Sequence, residues 1–404
     1  PVPRQGGGRP HRPPPLHPTE GSPTMRSLDT ARDTCERVHP GLCKALADLP
    51  YAERERPGSP VVDLFRTHGG IGLLVPAEHG GHGADPVEAV RVTRALGSYS
   101  PSLAAGTAMH HFTAAMLFSL AETVGRLTEP QRRLLASIVP DRVLMASGWS
   151  EGRTEQNILN PAVTAAPAPR GGFLLNGSKK PCSLASSMDL LTASTAVPGA
   201  DGRRELALAL VPADSPGLTV HPFWGNDVLA AAESDEVRLT DVHVPEDMVV
   251  RTTPDDPSRL DDLQTAGFVW FELIISACYA GATAALVDEV LGRARGSVTD
   301  RAALAVRSEA AYALLEGAAR AVRDGLSGDE AVAAVLVARF AAQEAMAHAA
   351  DQALELLGGM DFIHSSDHAR LARSVRPLAF HPPSRAAAAE PLLGYFGGEP
   401  LQLS

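Results

Sequence analysis

The chain has 404 residues, of which 44% are hydrophobic, and it carries a formal net charge of −11 from 36 basic and 47 acidic residues. This length and this hydrophobic content predict a large buried core that is divided into two or three structural units. The acidic balance argues against a general nucleic-acid binder, which needs a basic surface.

The cysteines and the apolar runs limit the metal content and the compartment. The four cysteines are scattered without a CxxC pair, and the histidines show no metal-ligand spacing, so we predict no metal. No apolar run is long enough to span a bilayer, and no signal-peptide pattern is visible. We therefore predict a cytoplasmic protein with reduced thiols and without nucleic-acid or membrane partners.

The N-terminal part of the chain is predicted to be helical after a disordered start. Residues 1–24 are rich in Pro, Gly, His and Arg, and we expect them to form a disordered extension. Residues 25–143 are predicted to form an N-terminal α-helical domain. Within it, Asp85 is the expected N-cap of a helix that begins at Pro86.

From residue 144 the pattern changes from helix to strand and later returns to helix. Short apolar runs alternate with turn signals such as Asn176-Gly177, so residues 144–250 are predicted to be an antiparallel β-domain. Residues 251–258 are the predicted linker. Residues 259–404 are alanine-rich and predict a helical bundle, whose last long helix ends at Gly358-Gly359. The predicted fold class is therefore mostly α with a central β-domain.

Five short motifs, in chain order, resemble those of the acyl-CoA dehydrogenase superfamily. They are GLLVPAEHGGHG at 72–83, SEG at 150–152, NGSK at 176–179, VHVP at 242–245 and LGG at 357–359. The resemblance covers about residues 28–393. It implies an N-terminal helical domain, a β-barrel-like middle domain and a C-terminal four-helix bundle, assembled as a homodimer or homotetramer around FAD.

The resemblance also assigns a flavin-binding wall to the middle of the chain. The positions that it assigns to the cofactor are Trp149, Ser150, Pro181, Cys182, Ser183, Gly358 and Gly359. A hydroxyl near flavin N5 is kept as Ser183, whereas the family's ring-stacking tryptophan is replaced by Pro181. Taken singly, Ser150 and Ser183 also fit turn serines that bond to the local backbone. Glycines at 358 and 359 let the backbone approach the phosphates closely.

One contact to the adenine half of FAD is missing. The arginine with which the family reaches the pyrophosphate in a partner subunit has no match near Ser297, although Arg293, Arg295 and Arg301 are nearby substitutes. FAD, FMN and an exchangeable reduced flavin therefore all stay open as cofactors.

The family's catalytic base is also absent from its usual position. Dehydrogenation of an acyl thioester needs a base for the α-proton, but the family's glutamate aligns with Pro382, next to His381. In other members this glutamate lies on the first bundle helix, at Phe271 here. Glu272 follows one step and about 100° further around the helix. His381 and Glu272 are therefore the candidate catalytic residues.

Three functions remain open on this pattern. The first is an FAD-dependent oxidoreductase that acts on an acyl thioester, bound to CoA or a carrier protein, with an electron-transfer partner. The alternative is a flavin-dependent monooxygenase that receives reduced flavin from a reductase and uses O2 in a dry cavity, with His110, His111 and His381 near oxygen or substrate. The third is a degenerate scaffold without redox chemistry.

Overall fold

The computed structural model describes residues 24–122, 126–152, 160–199, 204–251 and 262–403. The predicted extension lies outside these ranges except for its last residue, Thr24. The predicted linker lies outside them except for its first residue, Arg251. The chain runs from helices through a sheet and back to helices. This order confirms the predicted fold class, mostly α with a central β-domain.

The helices before the sheet surround one long, buried helix. Their bounds are α1 Arg26–Val38, α2 Leu42–Ala47, α3 Tyr51–Arg54, α4 Val61–Thr67, α5 Pro86–Tyr99, α6 Pro101–Ala121 and α7 Glu129–Ser137. The predicted cap of α5 is confirmed, because Asp85 accepts hydrogen bonds from the amides of Val87 and Glu88 at 2.8 and 2.9 Å. A capping box of this kind satisfies amides that the first helical turn leaves unpaired. Helix α6 is buried on nearly every side.

In the described part of the chain, eight strands form the central sheet. They are β1 Met145–Gly148, β2 Thr164–Pro167, β3 Phe173–Cys182, β4 Leu190–Pro198, β5 Arg204–Pro212, β6 Leu218–His221, β7 Asp235–Val244 and β8 Val249–Arg251. The order is β6-β7-β3-β2-β4-β5-β8, and β1 pairs with β4. The prediction of a wholly antiparallel domain was wrong at two pairs. Both β1 and β2 run parallel to β4. After β1 the chain leaves the edge of β4, and it returns to that edge further along as β2.

The helices after the sheet form the bundle. They are α8 Asp262–Gly292, α9 Val298–Arg323, α10 Gly328–Leu357, α11 Gly359–His364, α12 Ser366–Arg373 and α13 Arg385–Phe396. One stretch of α8, Thr265–Gly292, is long and apolar enough to cross a membrane by composition, but 89% of its most apolar window is buried inside the protein. It is therefore the core helix of the bundle. As predicted, α10 ends at Gly358, whose φ of +89° favours glycine.

Helices α5 and α8 cross with their backbones in close contact. A Cβ atom on Gly97 would lie 2.1 Å from the carbonyl oxygen of Cys278, and one on Gly281 would lie 2.1 Å from that of Arg94. The two glycines therefore let the helical domain that precedes the sheet pack tightly on the bundle. Helix α8 also lines the cavity described below.

Replacement of Gly97 by alanine is expected to lower the free energy of unfolding by at least about 1–3 kcal/mol, because the new methyl group overpacks against a backbone that cannot rotate away. The matched control is Gly317→Ala on α9, where a Cβ meets nothing within 4 Å. In an exposed helix this change should instead stabilise by about 0.5–1 kcal/mol. Urea denaturation measures both. Equal effects at the two positions would contradict this account of the crossing.

Candidate active site

A cavity of about 250 Å³ lies where the sheet, α6, α8 and the segment after α12 meet. Its lining is mostly apolar, with aromatic and methionine side chains on the helical side and small polar residues on the sheet side. The lining residues are Met109, Phe112, Met116, Ser147, Trp149, Ser150, Pro181, Ser183, Gly267, Phe268, Phe271, Phe380, His381 and Pro382. An apolar cavity with a few polar groups on one wall is the usual form of a small-molecule or cofactor site.

The sheet wall of the cavity is formed by the ends of β1 and β3. Trp149 and Ser150 follow directly after β1, and the Ser150 carbonyl accepts a hydrogen bond from the Lys180 amide at 2.9 Å. The indole Nε1 of Trp149 is buried and has no hydrogen-bond partner among the described residues. A buried N–H without a partner is costly. This atom therefore favours a ligand that offers an acceptor at the wall.

A buried ion pair holds this turn to the sheet. Lys179 is fully buried and donates to Glu151 at 2.7 Å and to Ser194 at 2.9 Å. Burial by itself raises the pKa of Glu151. The hydrogen bonds from Lys179 and from the amides of Ala162 and Val163 outweigh that effect, so the pKa lies below its ordinary value. The two predicted wall segments, around Ser150 and Ser183, are thus joined by one charged contact.

The side chains at the end of β3 alternate between two sides, as strand geometry requires. Pro181 and Ser183 line the cavity, and the Ser183 hydroxyl is 2.9 Å from that of Ser234. Cys182 lies between them and faces a separate hydrophobic core, which is formed by sheet residues such as Leu175, Leu191 and Val237. Burial there raises the pKa of Cys182 to about 12. The cavity therefore has the hydroxyl of Ser183 but not the thiol of Cys182.

His381 contributes the one histidine of the cavity lining. Its Nε2 lies 2.7 Å from the hydroxyl of Tyr279 on α8, and its ring packs edge-on against Phe271. Burial and the nearby charge of Arg339 lower the pKa of His381 to about 3. Burial raises the pKa of Tyr279 well above its ordinary value. At neutral pH the pair is therefore a neutral imidazole beside a neutral phenol.

Glu272 lies next to the cavity in sequence but outside its lining. Phe271 occupies the lining position, while the Glu272 carboxylate is buried on another side of α8 and bonds to Arg339 at 2.8 and 2.9 Å. Burial raises the pKa of Glu272. The carboxylate is engaged in an ion pair and lies outside the cavity lining, as the rotation of one helical step suggested.

The remaining candidate residues lie away from the cavity. His110 contacts the Ile71 carbonyl and accepts from the Met145 amide. Burial lowers the pKa of His110 to about 4 and holds that of His111 well below its ordinary value. Gly358 and Gly359 lie at the junction of α10 and α11, outside the lining. Among the described residues, no group of three or more His, Cys, Asp and Glu side chains could hold a metal ion.

Several important residues were not found from the sequence. The helical side of the cavity uses Met109, Phe112 and Met116 of α6, whose spacing is that of one helical face but also that of an ordinary core. Tyr279 and Arg339 carry no motif, and only the packing of α8 and α10 shows what they contact. The sequence did offer one signal for the helical side, because Phe271 aligns with a position at which some family members carry the catalytic glutamate. Phe271 lines the cavity.

The helix–sheet–helix order, with the cavity between the middle sheet and the bundle, defines an enzyme scaffold of the acyl-CoA dehydrogenase type. The family model "Acyl-CoA dehydrogenase, N-terminal domain" matches residues 28–123. The chain is 61% identical to isobutylamine N-hydroxylase of Streptomyces viridifaciens, over 94% of this chain and all of that protein. The chain belongs to the acyl-CoA dehydrogenase superfamily, among members of that fold that are named as hydroxylases and monooxygenases.

Two solved structures are similar over nearly the whole chain. KijD3 in complex with FMN and a dTDP-linked 3-amino sugar has a TM-score of 0.76 at 23% identity, and the match covers 94% of this chain and 95% of that one. XiaF from Streptomyces sp., in complex with FADH2 and glycerol, has a TM-score of 0.73 at 22% identity, covering 93% and 98%. At these identities, the likeness shows the shared fold.

Proposed function

We propose that this protein is a flavin-dependent oxygenase that transfers one oxygen atom from O2 to the nitrogen of a small aliphatic primary amine. The observation that carries the proposal is the cavity lining, which contains one neutral imidazole and, among the described residues, no carboxylate. Both positions from which the superfamily draws its glutamate base are occupied here by Phe271 and Pro382. The 61% identity to isobutylamine N-hydroxylase supports an amine as substrate.

The balance of the reaction requires reduced flavin as the reductant. One amine, one O2 and one reduced flavin give one hydroxylamine, one water and one oxidised flavin, with two electrons and two protons supplied by the flavin. A separate NAD(P)H-dependent flavin reductase would regenerate the reduced form. When bound, the flavin supplies the activation of O2, and the protein supplies binding, orientation and the exclusion of water.

The sheet wall is suited to hold the flavin. The unpartnered Trp149 Nε1 can donate to a carbonyl of the ring, and Ser150, Pro181 and Ser183 line the adjoining surface. Arg293, one predicted substitute for the pyrophosphate contact, is already paired with Asp361 and Glu289. This pairing supports a flavin that exchanges, FMN or FAD, over one that is held through its pyrophosphate. The role of Gly358 and Gly359 at the phosphates remains a prediction.

The helical wall and His381 are suited to hold the amine. An alkylammonium ion has a pKa near that of lysine, about 10.4. The described part of the cavity lining offers no carboxylate to pair with it, so the amine binds as the neutral base. Tyr279 occupies Nε2 of His381. The other ring nitrogen, Nδ1, can then accept a hydrogen bond from an amine N–H, which orients the amine and leaves its lone pair free to react. Met116, Phe268 and Phe271 exclude water around the alkyl group.

The test supplies the purified protein with FMN or FAD, NADH, a flavin reductase, isobutylamine and isotopically labelled O2. We expect a hydroxylamine that carries the label, identified by mass spectrometry, and no product without the reductase. Anaerobic mixing with acyl-CoAs is the competing assay, because bleaching of bound flavin there would support acyl-thioester oxidation instead. Absence of flavin binding at micromolar concentrations would favour the scaffold without redox chemistry. Cytoplasmic location and a homodimer or homotetramer remain predictions.

A further inference from the structure

Arg339 of α10 lies fully buried behind the segment that carries His381. In addition to Glu272, its Nη1 bonds the Pro382 carbonyl at 3.2 Å, and its Nη2 bonds the carbonyls of Leu378 and His381 at 3.0 and 2.5 Å. One guanidinium therefore binds three carbonyl oxygens within residues 378–382. The fork of N–H donors on arginine suits such a set, and lysine could not reproduce it.

The segment that Arg339 binds is a part of the cavity wall that belongs to no α-helix or strand. Residues Arg376–Phe380 form a short 3₁₀ turn, and His381 continues in extended conformation. Short 3₁₀ turns have poorer hydrogen-bond geometry than an α-helix, so side-chain donors have more influence on where this segment lies. Phe380, His381 and Pro382 all line the cavity.

We propose that Arg339, with Glu272 as its counter-ion, is a positioning residue that sets the place of His381 in the cavity. Neither Arg339 nor Glu272 lines the cavity, so both act through the backbone on either side of His381. Glu272 supplies the counter-charge to a guanidinium that is otherwise bonded only to neutral carbonyl groups among the described residues. Glu272 is thus a support for Arg339 and not the base of the reaction.

The Arg339 guanidinium also affects the protonation state of His381. The groups that face the imidazole are the hydroxyl of Tyr279, the ring of Phe271 and, from behind, the Arg339–Glu272 pair. After burial, the positive charge of Arg339 is the second cause that lowers the pKa of His381. Arg339 therefore fixes the position of His381 and adds to the effect of burial, which favours the neutral imidazole that the binding of an amine free base requires. This last step rests on the proposed function, whereas the positioning does not.

The double variant Glu272→Leu/Arg339→Met tests the proposal, because a buried ion pair can often be replaced by apolar residues without loss of the fold. The ring signals of His381 are followed by NMR in histidine-labelled protein and assigned with His381→Asn. We expect the pKa of His381 to rise by about one unit or more and kcat/KM for the amine to fall about 10²-fold through misplacement. The single variant Arg339→Lys keeps the charge and should lower kcat with a smaller change in that pKa.

The control is Arg376→Met, which removes an exposed arginine that ties the same segment to the same helix through Asp351. It should leave the pKa of His381 unchanged and kcat/KM within about twofold, as expected of a surface pair. A folded double variant with the wild-type His381 pKa and wild-type kinetics would overturn the proposal. If the double variant does not fold, the single variant Arg339→Lys decides, and an unchanged kcat in it would overturn the proposal. A shifted pKa without amine oxidation in the wild type would instead reject the proposed function alone.

Discussion

Replacement of Lys179 by methionine is expected to lower the free energy of unfolding by about 3–5 kcal/mol, because it removes one partner of a buried ion pair with Glu151. Lys179 is fully buried, and its ammonium group bonds both Glu151 and Ser194. The same change should loosen the turn that carries Trp149 and Ser150 and so weaken flavin binding. Urea denaturation at neutral pH measures the first effect, and fluorescence titration with FMN and FAD measures the second.

The matched control is the neighbouring residue on the same strand. Lys180 is partly exposed and pairs with Glu236 at 2.9 Å, so Lys180→Met should cost about 1 kcal/mol or less. The cost of Lys179→Met should also shrink as the pH falls. Because the pKa of Glu151 is lowered in the folded protein, the ion pair contributes its full stabilisation at a pH above the ordinary carboxylate pKa. This contribution is lost as the pH falls and the folded carboxylate binds a proton. Equal losses in the two lysine variants at neutral pH would refute this account.

Replacement of Gly267 by leucine is expected to reduce the turnover of branched amines while sparing flavin binding. Gly267 lines the cavity from α8, and a Cβ atom there would already approach Met116 Sδ at 3.0 Å. A leucine side chain would occupy space that the alkyl group needs in a cavity of about 250 Å³. We expect kcat/KM for isobutylamine to fall at least about tenfold, equal to about 1.4 kcal/mol, with a smaller fall for methylamine. Steady-state kinetics with a series of amines measures the effect.

Gly267→Ala serves as the graded control for this cavity. The thioether of Met116 is flexible and can move by a few tenths of an ångström, so alanine should cause a small change for all amines. The flavin dissociation constant should stay within about twofold in both variants, because the proposed flavin wall is formed by the sheet and not by α8. A loss that is the same for methylamine and isobutylamine in Gly267→Leu would mean that the amine does not bind at this cavity.

Local chemistry explains which features could be predicted from the sequence. Asp85 caps α5 because its carboxylate reaches amides two and three residues away, and Gly358 ends α10 because its positive φ favours glycine. Ser150, Ser183 and His381, which the resemblance aligns with family positions, all fall in the lining of one cavity, and their roles stay predictions. Motif order and spacing are properties of the chain, so they could be interpreted without coordinates.

Contacts between distant segments could not be predicted in this way. The parallel pairing of β1 with β4 depends on where the chain returns after a long connection, and Cys182 faces the separate hydrophobic core because of the alternation of β3. Glu272 appeared as a candidate base because its type and position suited the chemistry. Its partner Arg339 is 67 residues away on another helix, and no local pattern indicates that contact.

The sequence by itself therefore determined the fold class, the order of its parts and the positions of the sheet wall, because these depend on periodicity, turns and motifs that act over a few residues. The tertiary structure decided which titratable groups face the cavity and in what state of charge. Burial and pairing set the pKa of His381, Glu272 and Lys179. Burial and pairing depend on which segments, distant in the sequence, pack together and exclude water from the same volume.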